Sequence, residues 1–180
     1  MKPLLPIFLL LIAIASAQTP APDLKKNPAP PAVRLNPALP SLFIAGDSTA
    51  ARGRGATQQG WAVPFANYFD PAKVNIVNRA RGGRSSRTFI AEGAWDQLLA
   101  DVKPGDTVLI QFGHNDGSAV AENPTTPRQQ WRFRGSIPGL GEETREIDNL
   151  LTNKREVVHT FGWYIRKMIA DVKAREATPI

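Results

Sequence analysis

The chain contains no cysteine among its 180 residues. Disulfide staples are therefore excluded, and stability has to come from a packed core. That absence does not argue against export, because domains of this size need no staples. Histidine is nearly as scarce, with only His114 and His159 available as imidazole bases. Beyond residue 14 no segment approaches the length needed to span a bilayer. Zinc-finger spacing, ribonucleoprotein motifs and basic helices are missing, so nothing supports nucleic-acid binding. A phosphate-binding loop is missing too. Gly53-Arg54-Gly55 lacks a third glycine, since position 58 is Gln58. No internal repeat is present.

What is present fits one globular domain with a sizeable core, at 42% hydrophobic residues. The N-terminus carries Lys2, an apolar stretch over residues 4–14, and then Ala15-Ser16-Ala17. That order of charged, apolar and small residues predicts a secretory signal over residues 1–17. A secreted or periplasmic location follows, with no membrane attachment after cleavage. Residues 18–40 hold Pro20, Pro22, Pro28, Pro30, Pro31, Pro37 and Pro40. Such a segment favours extended backbone and reads as a linker. The domain is then expected over residues 41–180. Lys plus Arg number 22 against 16 Asp plus Glu, a formal balance of +6. A basic exported protein suits anionic partners such as acidic polysaccharides, although ordinary solubilising charge gives the same balance.

Residues 42–45, 74–77 and 107–112 are short apolar runs of the kind that form strands buried on both faces. Helical spacing predicts helices over 60–69, 88–102 and 154–177, the last with Val157, Phe161, Tyr164, Ile165, Met168, Ile169 and Val172 on its apolar face. A long loop is expected over 113–153, and Thr178-Pro179-Ile180 reads as the start of a fourth strand. This order predicts a three-layer α/β/α fold around a parallel sheet. A sheet cut there would leave an exposed edge, so the natural chain is expected to continue past Ile180.

Three motifs follow the three strands, where open α/β sheets place their sites. Gly46-Asp47-Ser48-Thr49 supplies a serine that a turn would lift from the sheet's end, with N–H groups after it to bind an anion. Asp47 is expected to bond nearby loops rather than to react. Asn78–Arg87 contains Gly82-Gly83-Arg84-Ser85, in which the Gly83 N–H is a candidate oxyanion donor. Arg84 and Arg87 could pair with loop carboxylates or meet an acidic substrate. Gly113-His114-Asn115-Asp116 offers the Asn115 amide as a further donor. Taken singly, the first two motifs are better read as a helix cap or a turn, while the third is sharper, with an Asx turn as its other reading.

Together these residues resemble the SGNH, or GDSL-type, hydrolases. Ser48, Gly83 and Asn115 match three of that family's four signature residues in order. The strings at 46–49, 77–87, 112–116, 135–149 and 157–163 look like its bacterial rhamnogalacturonan acetylesterase branch. The resemblance implies cofactor-free and metal-free removal of acetyl groups from pectic polysaccharide, an acidic plant cell-wall polymer. Ser48 would form an acetyl-enzyme, with Ser48 N–H, Gly83 N–H and Asn115 holding the tetrahedral intermediate. The family's base is a histidine in a late Asp-x-x-His motif, which these 180 residues lack. Neither His114 nor His159 is assigned to that role, and without a base the serine is a weak nucleophile. His114 and Arg84 are candidate substrate contacts, and Arg52, Arg54, Arg81, Arg132 and Arg134 could add to a uronate-binding surface. The other readings are a polysaccharide-binding protein that keeps the fold without the base, an α/β-hydrolase with an approximate Gly-x-Ser-x-Gly, and a weaker nucleotide-binding one.

Overall fold

The computed structural model describes residues 35–55, 58–120, 125–126, 133–149 and 152–180. The expected signal segment, most of the expected linker and Arg132 lie outside the described residues. Strand β1 (Ser41–Gly46) runs through the middle of a four-stranded parallel sheet. It pairs on one side with β4 (Asn75–Asn78) and on the other with β5 (Thr107–Gln111), which in turn pairs with β8 (Thr178–Pro179). The order β4-β1-β5-β8 means that the chain leaves β1 to one side and returns to the other. Such a reversal opens a crevice at the carboxyl ends of β1 and β5.

Alternation along the strands divides the core into two faces. Phe43, Ala45, Val77 and Val108 pack with Phe89, Trp95, Leu98, Met168 and Val172. Those partners come from α2 (Ser86–Ala91), α3 (Ala94–Leu99) and α4 (Phe161–Lys173). Ile44, Ile76 and Leu109 face the other way, towards Ala62 and Phe65 of α1 (Ala62–Phe65). The architecture is therefore three layers, helices on both sides of a parallel sheet, as the sequence predicts. At the sheet's amino end, buried Asp106 accepts hydrogen bonds from Ser41 N and Lys103 N, tying β1 to the turn before β5.

Three departures from the sequence reading have local causes. The helix expected over 88–102 is two helices, because Gly93 adopts φ +76° and ends the first of them. The turn after β1 is followed by a small hairpin, β2 (Arg52–Gly55) with β3 (Gln58–Gln59), that no apolar alternation announces. The helix expected from residue 154 starts at Phe161 instead. Residues Lys154–His159 form β7, antiparallel to β6 (Thr144–Asn149). Val157 is therefore exposed on the hairpin and lies off the helix face, while Val158 is buried with Ile147. Thr160 marks the change, its hydroxyl accepting from Trp163 N as an N-cap.

The hairpin is fastened to α4 by Tyr164, whose hydroxyl accepts from His159 N at 3.1 Å. Burial pushes the Tyr164 phenol from 10.0 up to about 12, against the opposing hydrogen bond from His159 N. The folded state therefore holds its proton where the unfolded chain has lost it. This contribution is complete below pH 10.0 and disappears as pH rises through about 12. Unfolding free energy should fall across that window by up to about 1.4 kcal/mol per pH unit from this group alone. In urea titrations Tyr164→Phe should show a shallower fall than the parent chain. Equal slopes would mean that Tyr164 ionises freely in the fold.

Candidate active site

The turn after β1 is built by Asp47. Its side chain is fully buried, and Oδ1 accepts from both Thr49 N and Thr49 Oγ1 at 2.8 Å. Its carbonyl accepts from Ala50 N and Ala51 N. The N–H groups after Ser48 are thus turned inward onto Asp47, which corrects the expectation that they would bind an anion. Gly60 lies directly under this turn, where an added Cβ would stand 2.4 Å from the Ala50 carbonyl carbon. Trp61 N also donates to the Thr49 carbonyl at 2.8 Å. The result is a rigid turn that leaves Ser48 exposed at the end of β1.

The second motif continues from β4 alongside it. Arg81 N donates to the Gly46 carbonyl, so the chain is still in register with β1 as it enters the glycines. Arg84 N closes a turn onto the Arg81 carbonyl, and Gly83 sits in it at φ +77°. Only glycine takes that conformation without strain. A Cβ at Gly82 would lie 3.8 Å from Ser48 Cβ, so this turn borders the serine. Arg84 points into the protein. Its guanidinium forms a two-pronged pair with Glu92, at 3.0 and 2.7 Å, and donates to the Gly82 carbonyl. Ser85 and Thr88 then form a reciprocal capping box that starts α2.

The third motif is the most tightly held. Asn115 is buried, and its Nδ2 donates to the Arg84 carbonyl at 2.9 Å. Asp116 accepts from Ser86 N, Ser86 Oγ, Gly113 N and Ser136 Oγ. It thereby joins the end of β5, the start of α2 and the segment at 133–136. His114 is exposed beside this cluster. The turn after β1 is linked as well, since the Thr49 hydroxyl, which has one proton to share between Asp47 and β5, also lies 2.7 Å from Gln111 Oε1. The fold thus gathers all three sequence motifs at one end of the sheet.

Segment 133–136 is the part that local sequence did not reveal. Gly135 presses on the preceding turn so closely that a Cβ would stand 1.6 Å from the Ser118 carbonyl oxygen. The Arg134 carbonyl accepts from Ser85 Oγ at 2.7 Å, and Arg134 Nε donates to Asn115 Oδ1 at 3.0 Å. Burial, reinforced by Arg84 and opposed by Asp47, lowers the Arg134 pKa from the usual guanidinium value. Arg87 is almost fully buried and joins this segment to β7. It pairs with Glu156 through two bonds and donates to the Gly135 carbonyl. Arg81 is half-buried and donates to Gln97 Oε1. Burial, with the nearby Arg84 charge, lowers its pKa as well.

Glu156 and His159 have an acid-x-x-base spacing, but they lie on an extended strand, where residues three apart face opposite ways. The Glu156 carboxylate is engaged by Arg87 and Asn149. The His159 ring instead stacks on Trp163 at 3.7 Å between centroids. Among the described residues no group of three or more His, Cys, Asp or Glu could hold a metal ion. Among the same residues no helix is long and apolar enough to cross a membrane.

Residues 44–180 match the GDSL-like Lipase/Acylhydrolase family, and the chain belongs to it. It is 38% identical over 126 residues to a rhamnogalacturonan acetylesterase of Emericella nidulans, covering 69% of this chain and 44% of that protein. It is 36% identical over 144 residues to the rhamnogalacturonan acetylesterase RhgT of Bacillus subtilis, covering 73% of this chain and 60% of that one. The chain thus spans about half the length of these curated relatives. The crystal structure of the YxiM protein of Bacillus subtilis matches the fold with a TM-score of 0.52 at 24% identity, over 79% of this chain and 32% of that one.

Asp116 gives the site's geometry a direct test. An amide in its place keeps the shape but turns one acceptor into a donor, facing groups that are themselves donors. Asp116→Asn should lower unfolding free energy by about 2–3 kcal/mol in urea titrations. A change of less than about 0.5 kcal/mol, the size expected of an ordinary surface substitution, would remove Asp116 from its role as the clamp.

Proposed function

We propose that this chain carries the nucleophile and oxyanion donors of an exported serine esterase that removes acetyl groups from rhamnogalacturonan. The observation that supports it most is the exposed Ser48 bordered by the Gly82–Gly83 turn, with the buried Asn115 amide fixed on the neighbouring strand end. The names of the relatives support the substrate class, and the charged, apolar and small-residue order of residues 1–17 supports export.

In this mechanism Ser48 Oγ attacks the acetyl carbonyl carbon while its proton passes to a histidine base. The carbonyl oxygen gains negative charge and is met by Ser48 N–H, Gly83 N–H and an Asn115 N–H. Collapse expels the sugar oxygen as an alkoxide, which takes the proton from the histidinium and leaves as the free hydroxyl. Water then attacks the acetyl-serine by the same route and releases acetate. The base belongs to an Asp-x-x-His motif, which residues 1–180 do not contain. An amide carries two N–H groups. One holds the Arg84 carbonyl, and the other serves the oxyanion. Arg84 supports the loop through Glu92, while exposed His114 is the better placed of the two to touch the polymer.

The test uses the natural chain at its full length on acetylated rhamnogalacturonan and on p-nitrophenyl acetate. Ser48→Ala should reduce turnover to a residue of roughly 10³–10⁴-fold over water. Asn115→Ala should lower kcat by about 10²–10³. Unchanged turnover in Ser48→Ala would sink the esterase reading. Polysaccharide binding without any acetate release would favour a binding protein that keeps the fold.

A further inference from the structure

We infer that Arg134 is the positioning residue for the oxyanion amide, fixing which end of the Asn115 side chain faces the reacting carbonyl. This rests on the reading of Asn115 as an oxyanion donor. An asparagine amide is nearly symmetric in shape, and rotating it by half a turn exchanges its oxygen and nitrogen. The wrong rotamer would offer a lone pair to the oxyanion and repel it. A guanidinium carries five donors and no acceptor. With Arg134 Nε at 3.0 Å, only Oδ1 of Asn115 can lie on that side. The nitrogen then lies opposite, and one of its hydrogens is already taken by the Arg84 carbonyl at 2.9 Å. The amide is held at both ends, which leaves its second N–H with one direction.

The arginine is itself anchored against drift. Its own carbonyl accepts from buried Ser85 Oγ, the next residue is wedged against Ser118, and Ser136 bonds Asp116 through both its N–H and its hydroxyl. A positive charge on Oδ1 also withdraws electron density from the amide nitrogen, which strengthens its N–H as a donor to a developing anion. Asp47 supplies a counter-charge. Its Oδ2 is buried with no hydrogen-bond partner among the described residues, and its field favours the charged form of Arg134. The same carboxylate that shapes the nucleophile turn thus balances the cation behind the oxyanion donor.

The experiment is a double-mutant cycle in the full-length natural chain, with p-nitrophenyl acetate as the probe. Arg134→Ala should lower kcat by about 10–100-fold, with KM changed by less than about twofold. In an Asn115→Ala background the same substitution should change kcat by less than about twofold, because the group it positions is gone. Arg134→Lys, which keeps the charge and one donor, should recover part of the loss. Losses that multiply across the cycle overturn the inference, as does an unchanged kcat in Arg134→Ala. A second readout needs no turnover. The Asn115 side-chain amide resonances, followed by nitrogen-15 NMR, should shift in Arg134→Ala and exchange faster with solvent. If they stay in place, the positioning role is wrong even where kcat falls. If they move while Asn115→Ala leaves kcat intact, Arg134 does hold the amide and the oxyanion reading is what fails.

Discussion

One buried carboxylate holds the site's loops in their mutual arrangement. Asp116 is 6% exposed, and its two oxygens accept from two backbone N–H groups and two hydroxyls. A carboxylate has about four lone-pair sites, so its acceptor capacity is close to filled. Burying such a charge costs several kcal/mol unless hydrogen bonds replace its water. The compensation here needs Ser86, Gly113 and Ser136 to arrive together from three separate stretches of chain. Because Asn115 is the adjacent residue, its position is inherited from that requirement. Asn115 belongs to a rigid assembly although it lies on a loop.

Two buried arginines extend the same logic outward. Arg84 and Arg87 lie three residues apart around the start of α2, and each forms a two-pronged pair, with Glu92 and Glu156 respectively. Such pairs add little net stability, but leaving one partner unpaired in the interior is costly. Their effect is to select one arrangement, the glycine turn against α2 and the β6–β7 hairpin against segment 133–136. This also changes how the +6 balance is to be understood. Arg81 and Arg84 bond Gln97 and Glu92, and Arg134 bonds Asn115. The basic residues around the motifs do structural tasks first, so net charge alone is a poor guide to an anionic substrate here.

Much of this was legible in the sequence, and the remainder shares one cause. The strands at 42–45 and 107–112 announce themselves as continuous apolar runs, the pattern of parallel strands covered on both faces. The three motifs could be placed because each closely follows such a run. The stretch 154–159 misled because Val157, Phe161 and Tyr164 satisfy helical spacing, while the β-hairpin that claims Val157 pairs it with Glu146, outside the reach of any helical pattern. Gly93 was visible as a letter, but spacing alone did not show that it stops one helix and starts another. Arg134 could be counted among the basic residues near the motifs. Its contact with Asn115 spans nineteen positions and depends on a glycine that tolerates no side chain. Local pattern carried the scaffold, and the contacts that hold Asn115 are long-range.

Ser48 and Asn115 sit in opposite environments. Ser48 is exposed on a turn whose shape is set by Asp47 below it. A donor to a developing charge works best when it is already oriented and shielded from water, where each hydrogen bond counts for more. Asn115 is 2% exposed and bonded at both ends of its amide. On the proposed esterase reading, exchanging the two environments would weaken both roles, since a buried serine could not meet a polymer and an exposed amide would spend its donors on water. The sheet makes the division possible. β1 and β5 are adjacent, yet Ser48 lies two residues beyond the end of its strand while Asn115 lies four beyond and folds back beneath the 81–85 loop. That difference in overhang leaves one side chain accessible and the other sequestered at the same end of the sheet.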